Sequence, residues 1–163
     1  MRPERSTDRL ARWIAAGFGC GHAPRAPGTV ASFAATLIGC GLLLIAPWAL
    51  AIGVIVALAS GLCAIAKLGA VGDPGWVVID EIAGQWITLL VLPYPSVPTL
   101  VAGFLFFRAF DILKPGPVHW VERAPGAFGV MADDVLAGIL AALLLFACRM
   151  IFPIFFTALA VPR

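Results

Sequence analysis

The amino-acid sequence predicts an all-α membrane protein: a compact bundle of about four to five transmembrane helices with a polar site gathered at their cytoplasmic ends. Three observations carry this. Of 163 residues, 61% are hydrophobic and 12% charged, against roughly 45–50% apolar and 25% charged in ordinary soluble domains. The apolar residues fall in runs of helix-spanning length, and mean hydropathy is +1.00. The acidic residues lie between or at the edges of those runs, where charge is tolerated beside a bilayer.

Taken in order, the chain reads as one integral membrane domain over 1–163. Residues 1–28 form a cytoplasmic N-terminal segment ending in a glycine-rich loop. Arg2, Arg5, Arg9 and Arg12 alternate there with Glu4 and Asp8, and no small-residue cleavage site follows a short apolar core, so no removable signal peptide is expected. The apolar stretch that follows exceeds the ~20 residues of one span. Pro47 and Trp48 divide it into expected helices over 29–46 and 48–67. Two shorter runs, 77–92 and 97–112, flank a proline-rich turn and read as a helical hairpin. At about 16 residues each would extend ~24 Å, a little short of a ~30 Å hydrocarbon core. A Pro/Gly-rich loop from Lys114 to Met131 leads to a last expected helix over 135–156, which Arg149 and Pro153 interrupt. Either that helix crosses and Arg149 snorkels outward, or it stops near Cys148.

With the N-terminus inside and five crossings, the basic residues from Arg2 to Arg25, with Lys67, Arg108, Lys114 and Arg123, all fall at the cytoplasmic end. Only Arg149 and Arg163 lie outside, which satisfies the positive-inside rule. Every Asp and Glu falls at the same end, and a four-crossing arrangement leaves that clustering intact. The net charge of +2 is scattered, not concentrated on one face, so nucleic acid is not an expected partner. Cys20, Cys40, Cys63 and Cys148 lack zinc-ligand spacing and read as small hydrophobes. Oligomeric state is not legible.

Four polar segments converge on that end. The first runs from Gly17 through Arg25 and Gly28 to Thr29, with Ser32 a turn inside the helix. Its glycines, with Thr29 as N-cap, present free backbone N–H groups that suit a phosphate. The second is Asp73-Pro74 followed by Asp80-Glu81, with Gly84 one turn beyond. The third carries Arg108, Asp111 and Lys114 on one side of a closing helix; Arg108 needs an anion there, whether Asp111 within the helix or a substrate phosphate. The fourth brings Asp133-Asp134 to the start of the last helix, with Ala137 and Gly138 a turn later. Small residues let helices approach closely, so two helices built on one plan would gather Asp80, Glu81, Asp133 and Asp134. Such an oxygen-rich cluster suits a hard cation such as Mg²⁺. These four and Asp111 are the candidate catalytic carboxylates. Arg108, Lys114, Arg25, Gly28, Thr29 and Ser32 are the candidate substrate-binding residues.

Taken as an ordered set, the segments resemble the phosphatidylglycerophosphatase A family. The matching residues are Gly19, Gly21, Pro24, Ala26-Pro27-Gly28-Thr29 and Ser32; Asp73-Pro74 with Asp80-Glu81 and Gly84-Gln85-Trp86; Phe107-Arg108, Phe110-Asp111-Ile112 and Lys114-Pro115; and Pro125-Gly126, Gly129-Val130-Met131, Asp133-Asp134 and Ala137-Gly138. Ala31 and Ala127 stand where the family pattern has glycine. The resemblance implies a Mg²⁺-dependent hydrolase of phospholipid biosynthesis in a bacterial inner membrane. Its substrate would be an anionic glycerophospholipid, phosphatidylglycerophosphate, converted to phosphatidylglycerol and phosphate. Direct attack of water and an aspartyl-phosphate intermediate both remain open. The rival reading is a small membrane transporter or channel subunit with a cytoplasmic ion-binding mouth. Against it, the first four expected helices carry no ionisable residue near their middles, where transport sites usually sit.

Overall fold

The protein is described by a computed structural model over residues 6–69, 74–122 and 124–154; Asp73, Arg123 and the expected helix end at 155–156 lie outside these described residues. Among them the chain is all-helical. The elements are α1 (Ser6–Ala15), a 3₁₀ turn (Gly17–His22), α2 (Pro27–Ile45), α3 (Pro47–Leu68), α4 (Ile79–Leu89), α5 (Val97–Leu113), α6 (Gly116–Glu122) and α7 (Gly126–Ile151). Three of them, α2, α3 and α7, are long and apolar enough to cross a membrane.

Helices α2 and α3 begin at prolines, Pro27 and Pro47. A proline at the first helical position has its φ already set and gives up an N–H that had no partner. Thr29 is therefore the third residue of α2 and not its N-cap, as expected from sequence; Ala26 holds the cap position in the left-handed region at φ 48°. Helix α3 closes on Gly69 at φ 60°, where glycine carries no Cβ penalty. Ser96 and Thr99 cap the start of α5 reciprocally, the Thr99 N–H donating to Ser96 Oγ at 3.3 Å and the Ser96 N–H to Thr99 Oγ1 at 2.9 Å.

Helix α4 corrects the expected run of 77–92. It spans only Ile79–Leu89, about 16 Å at 1.5 Å per residue, and it is buried on nearly every side by α2, α3, α5 and α7. A helix enclosed by protein has no need to match the bilayer. Its most extensive contact is with α7, and there the backbones touch. A Cβ on Gly138 would collide with the Gly84 carbonyl oxygen, and one on Gly84 would lie 2.5 Å from the Asp134 carbonyl oxygen. Thr88 Oγ1 bridges the seam, 3.1 Å from the Gly84 carbonyl and 3.2 Å from that of Gly138. The contacts run 84 to 134 and 88 to 138, so the two helices point the same way.

Helix α7 begins at Gly126, well before the expected 135. Its first turns bury Gly129, Val130 and Met131, and Met131 packs where a Cβ on Gly61 of α3 would lie. That tertiary burial outweighs the weak helix propensity of the glycines. At its other end the helix runs through Arg149 to Ile151, and Arg149 Nη1 donates to the Val91 carbonyl at 2.7 Å, so the charge is answered by the α4–α5 turn. Two helices had no sequence expectation. One is α6; the other is α1, which buries Ala11 and Ala15 and exposes Leu10 and Trp13. The four cysteines are free thiols.

Candidate active site

Three backbone decisions build the site. Helix α4 starts at Ile79, so Asp80 and Glu81 are its second and third residues, where acids complement the positive end of the helix. The Gly84–Gly138 contact lays α7 alongside with Asp134 one turn before Gly138, the same offset by which Asp80 precedes Gly84. As a result one carboxylate oxygen each from Asp80, Glu81 and Asp134 lies within 4.8 Å of the others. Asp80 and Asp134 are buried, at 3% and 4% exposure. Carboxylates so placed repel one another, and the repulsion is relieved by positive charge among them or by a bound proton. Three oxygen donors at this spacing, removed from bulk water, fit a hard divalent cation.

Asp133 is placed differently from the expectation. It lies two turns inside α7, not at a helix start, and its Oδ2 accepts from Lys114 Nζ at 2.8 Å. Consecutive residues on a helix diverge by about 100°, so Asp134 faces α4 while Asp133 faces the end of α5. Lys114, at φ 41° before Pro115, closes α5 and is turned toward that carboxylate. The Asp134 N–H also donates to Asp133 Oδ1 at 3.0 Å.

The third part comes from α5 and α2. Arg108 and Asp111 are an ion pair along the last turns of α5. The Arg108 guanidinium reaches past it, Nη1 lying 3.4 Å from Ser32 Oγ, while its Nε–H is buried without a hydrogen-bond partner among the described residues. Ser32, fully buried, donates to the Gly28 carbonyl at 2.8 Å. Gly28 itself lies against Glu81: a Cβ there would collide with Glu81 Oε1 and stand 3.3 Å from Arg108 Nη1. Only glycine leaves that space. Ala26 at the cap position of α2 makes no side-chain hydrogen bond to the first turn, so the acceptors for that turn's N–H groups must come from elsewhere at this end. Thr29 is half-buried in that first turn, and Arg25 is exposed on the loop before it. The geometry thus joins Asp80, Glu81 and Asp134 with Gly28, Ser32, Arg108 and Asp111, sets Lys114 with Asp133 beside them, and leaves Arg25 outside the described contacts.

One residue carries no sequence assignment although it belongs to the quoted motif. Gln85 is fully buried one turn beyond Glu81, and its polarity in an apolar helix is the signal that marks it.

Comparison with known proteins gives the family. The family described as phosphatidylglycerophosphatase A matches residues 13–149. The chain is 40% identical over 138 residues to phosphatidylglycerophosphatase A of Escherichia coli, covering 82% of this chain and 80% of the relative. It is 39% identical over 148 residues to the Haemophilus influenzae protein of the same name, covering 83% and 86%. It is also 39% identical over 145 residues to a Bacteroides thetaiotaomicron protein described as a candidate phosphatidylinositol-3-phosphatase, covering 83% and 91%. No solved structure matches significantly. The match runs through all four polar segments, and the chain belongs to the phosphatidylglycerophosphatase A family.

Proposed function

We propose that this chain hydrolyses phosphatidylglycerophosphate to phosphatidylglycerol and phosphate, with Mg²⁺, at the cytoplasmic face of a bacterial inner membrane. The observation that carries the reading is the cluster of Asp80, Glu81 and Asp134 beside Arg108 and the N-terminus of α2, within a family of lipid phosphatases. Family membership sets aside the transporter reading.

Asp80, Glu81 and Asp134 are the residues that would hold Mg²⁺, and their all-oxygen donor set fits it. When bound, such an ion neutralises phosphate charge and lowers the pKa of a coordinated water. Arg108 binds the phosphomonoester dianion by its guanidinium, and the α2 N-terminus at Gly28 and Thr29 adds backbone N–H donors and the positive end of a helix dipole. Asp111 orients Arg108 through their ion pair. Lys114, paired with Asp133, offsets one of the negative charges beside the cluster, which lessens repulsion of an anionic headgroup. A carboxylate of the cluster takes a proton from attacking water. These groups gather toward one end of the bundle, where a headgroup can reach them while its acyl chains stay in lipid. Basic residues on the same side support the cytoplasmic orientation and a bundle of four to five membrane-embedded helices.

The test is phosphate release by the purified protein in detergent micelles containing phosphatidylglycerophosphate, with Mg²⁺ and then with excess chelator. Turnover that chelator abolishes and Mg²⁺ restores is the expected result. Preference for phosphatidylinositol 3-phosphate over phosphatidylglycerophosphate would transfer the assignment to the other named activity among the relatives.

A further inference from the structure

Gln85 is fully buried in α4, and neither its Nε2 nor its Oε1 has a hydrogen-bond partner among the described residues. Buried carboxamides are nearly always satisfied, so one that is not calls for a cause.

The position of this side chain follows from its neighbours along the helix. Glu81, one turn earlier on the same face, meets Gly28 of α2, with Arg108 of α5 alongside. Leu89, one turn later, packs where a Cβ on Gly39 of α2 or on Gly103 of α5 would lie. Gln85 stands between them on the same face, in the seam of α2, α4 and α5 between the levels of Gly28 and Gly39. The Cα–Cβ bonds of a helix tilt toward its N-terminus, and the N-terminus of α4 is the Asp80–Glu81 end, so this tilt carries the side chain toward the carboxylate cluster. The Arg108 Nε–H is a second buried donor without a partner in this seam. Beneath Glu81 the molecule therefore presents two unsatisfied donor groups and one unsatisfied acceptor, at fixed positions and shielded from water.

We infer that Gln85 is a further substrate-binding residue: its Nε2–H and the Arg108 Nε–H together donate to a non-bridging phosphate oxygen, and its Oε1 accepts from a water held beside that oxygen. The inference rests on the reading of the chain as a phosphatase and names the innermost contact of that site. A phosphomonoester suits the seam because its terminal phosphate carries three non-bridging oxygens, so one can turn inward while others face the carboxylate cluster. Gln85 adds no charge, which leaves neutralisation to Arg108 and fits a role in orienting the phosphate.

Two variants test it, Gln85→Met, of similar length and without hydrogen-bonding groups, and Gln85→Glu, which keeps acceptors and loses the donor. Each is titrated with inorganic phosphate at fixed Mg²⁺, reading the rise in unfolding temperature, and assayed for KM and kcat on the lipid. Losing a hydrogen bond to a charged oxygen weakens binding by about 10- to 100-fold, so phosphate stabilisation falls and KM rises by that order, with kcat changing less. Gln85→Met also unfolds at a higher temperature than wild type in the absence of phosphate, since an unsatisfied buried amide has been removed. Phosphate affinity and KM within twofold of wild type in either folded variant overturn the inference, and the carboxamide is then a packing element only. If Gln85→Met does not fold, Gln85→Glu decides alone. Wild-type protein that neither releases phosphate from the lipid nor is stabilised by phosphate removes the phosphatase reading and this inference with it, an outcome told apart because it appears before any substitution.

Discussion

Gly138 of α7 lies so close to Gly84 of α4 that a methyl group on it would collide with the Gly84 carbonyl oxygen. This contact sets the spacing of the carboxylates one turn away, Asp134 on one helix and Asp80 on the other. The obstacle is backbone on both sides and cannot swing aside as a side chain would. Gly138→Ala is therefore expected to cost about 1–3 kcal/mol by overpacking and to lower Mg²⁺-dependent activity. Gly41→Ala, where nothing lies within 4 Å of the added methyl, should gain helix propensity and leave activity unchanged. Thermal unfolding in detergent with a phosphate-release assay checks both; equal stability of the two variants would mean that the helices do not meet in this way.

The carboxylates divide into two kinds. Asp134→Asn removes one of the three clustered oxygens and is expected to abolish the rise in unfolding temperature produced by Mg²⁺, with at least ~100-fold loss of turnover, the scale set by losing one fixed electrostatic contact. Asp133→Asn weakens an ion pair to Lys114, so it should lower stability by about 1–3 kcal/mol yet retain the Mg²⁺ response. Identical Mg²⁺ titrations for the two variants would contradict the division.

Much of this was legible in the sequence because polar residues in an apolar chain are conspicuous. Asp80-Glu81 and Asp133-Asp134, each followed a turn later by small residues, point to the α4–α7 seam that the structure contains. Asp80 and Glu81 both join the cluster, but which of Asp133 and Asp134 does so was not legible: it depends on how α7 is turned against α4. The residues 126–131 carry little apolar pattern, so the start of α7 at Gly126 and the turn of Asp133 toward Lys114 emerge only from packing. Helix α1 escaped for the opposite reason. Its apolar residues are spaced on one face and form no run. Gln85 stood within the family motif, but only its burial and its unsatisfied amide give it a task.

Ala26 sits in the left-handed region immediately before α2, at φ 48°, where an L-residue pays roughly 1–2 kcal/mol. Ala26→Gly is expected to relieve part of that, raising stability by about 0.5–1 kcal/mol. It also loosens the loop that fixes Gly28 against Glu81, so KM should rise modestly. An unfolding temperature below that of wild type would show that the loop is not strained at this residue.

The orientation of the bundle has its own test. Lys67, Lys114, Arg9, Arg12 and Arg25 all lie at the end where α2, α4 and α7 begin, so a cysteine introduced at Pro74, just before α4, should be shielded from an impermeant thiol reagent in intact cells. The four native cysteines must first be replaced, since all are free. Labelling from outside would invert the topology and place the site away from cytoplasmic substrate.

Arg108 offers the sharpest decision, because the ion pair that would explain it away is present. It binds Asp111 within α5, and if it does nothing else, Arg108→Lys should be nearly neutral and Asp111→Ala should rescue Arg108→Ala. The guanidinium also reaches Ser32 and the space beside Gly28, and its Nε–H stays unpartnered and buried, which a purely intrahelical role does not require. A lysine keeps the charge and loses the planar fork, so Arg108→Lys is expected to lower kcat/KM by about 10- to 100-fold, the equivalent of one or two charge-assisted hydrogen bonds. The double variant should recover little, since the lost contact is to phosphate in the transition state and not to Asp111. The variants are assayed at saturating Mg²⁺ after thermal unfolding shows each to be folded. A double variant with near wild-type activity would remove Arg108 from the site and leave Lys114 as the basic group of that helix.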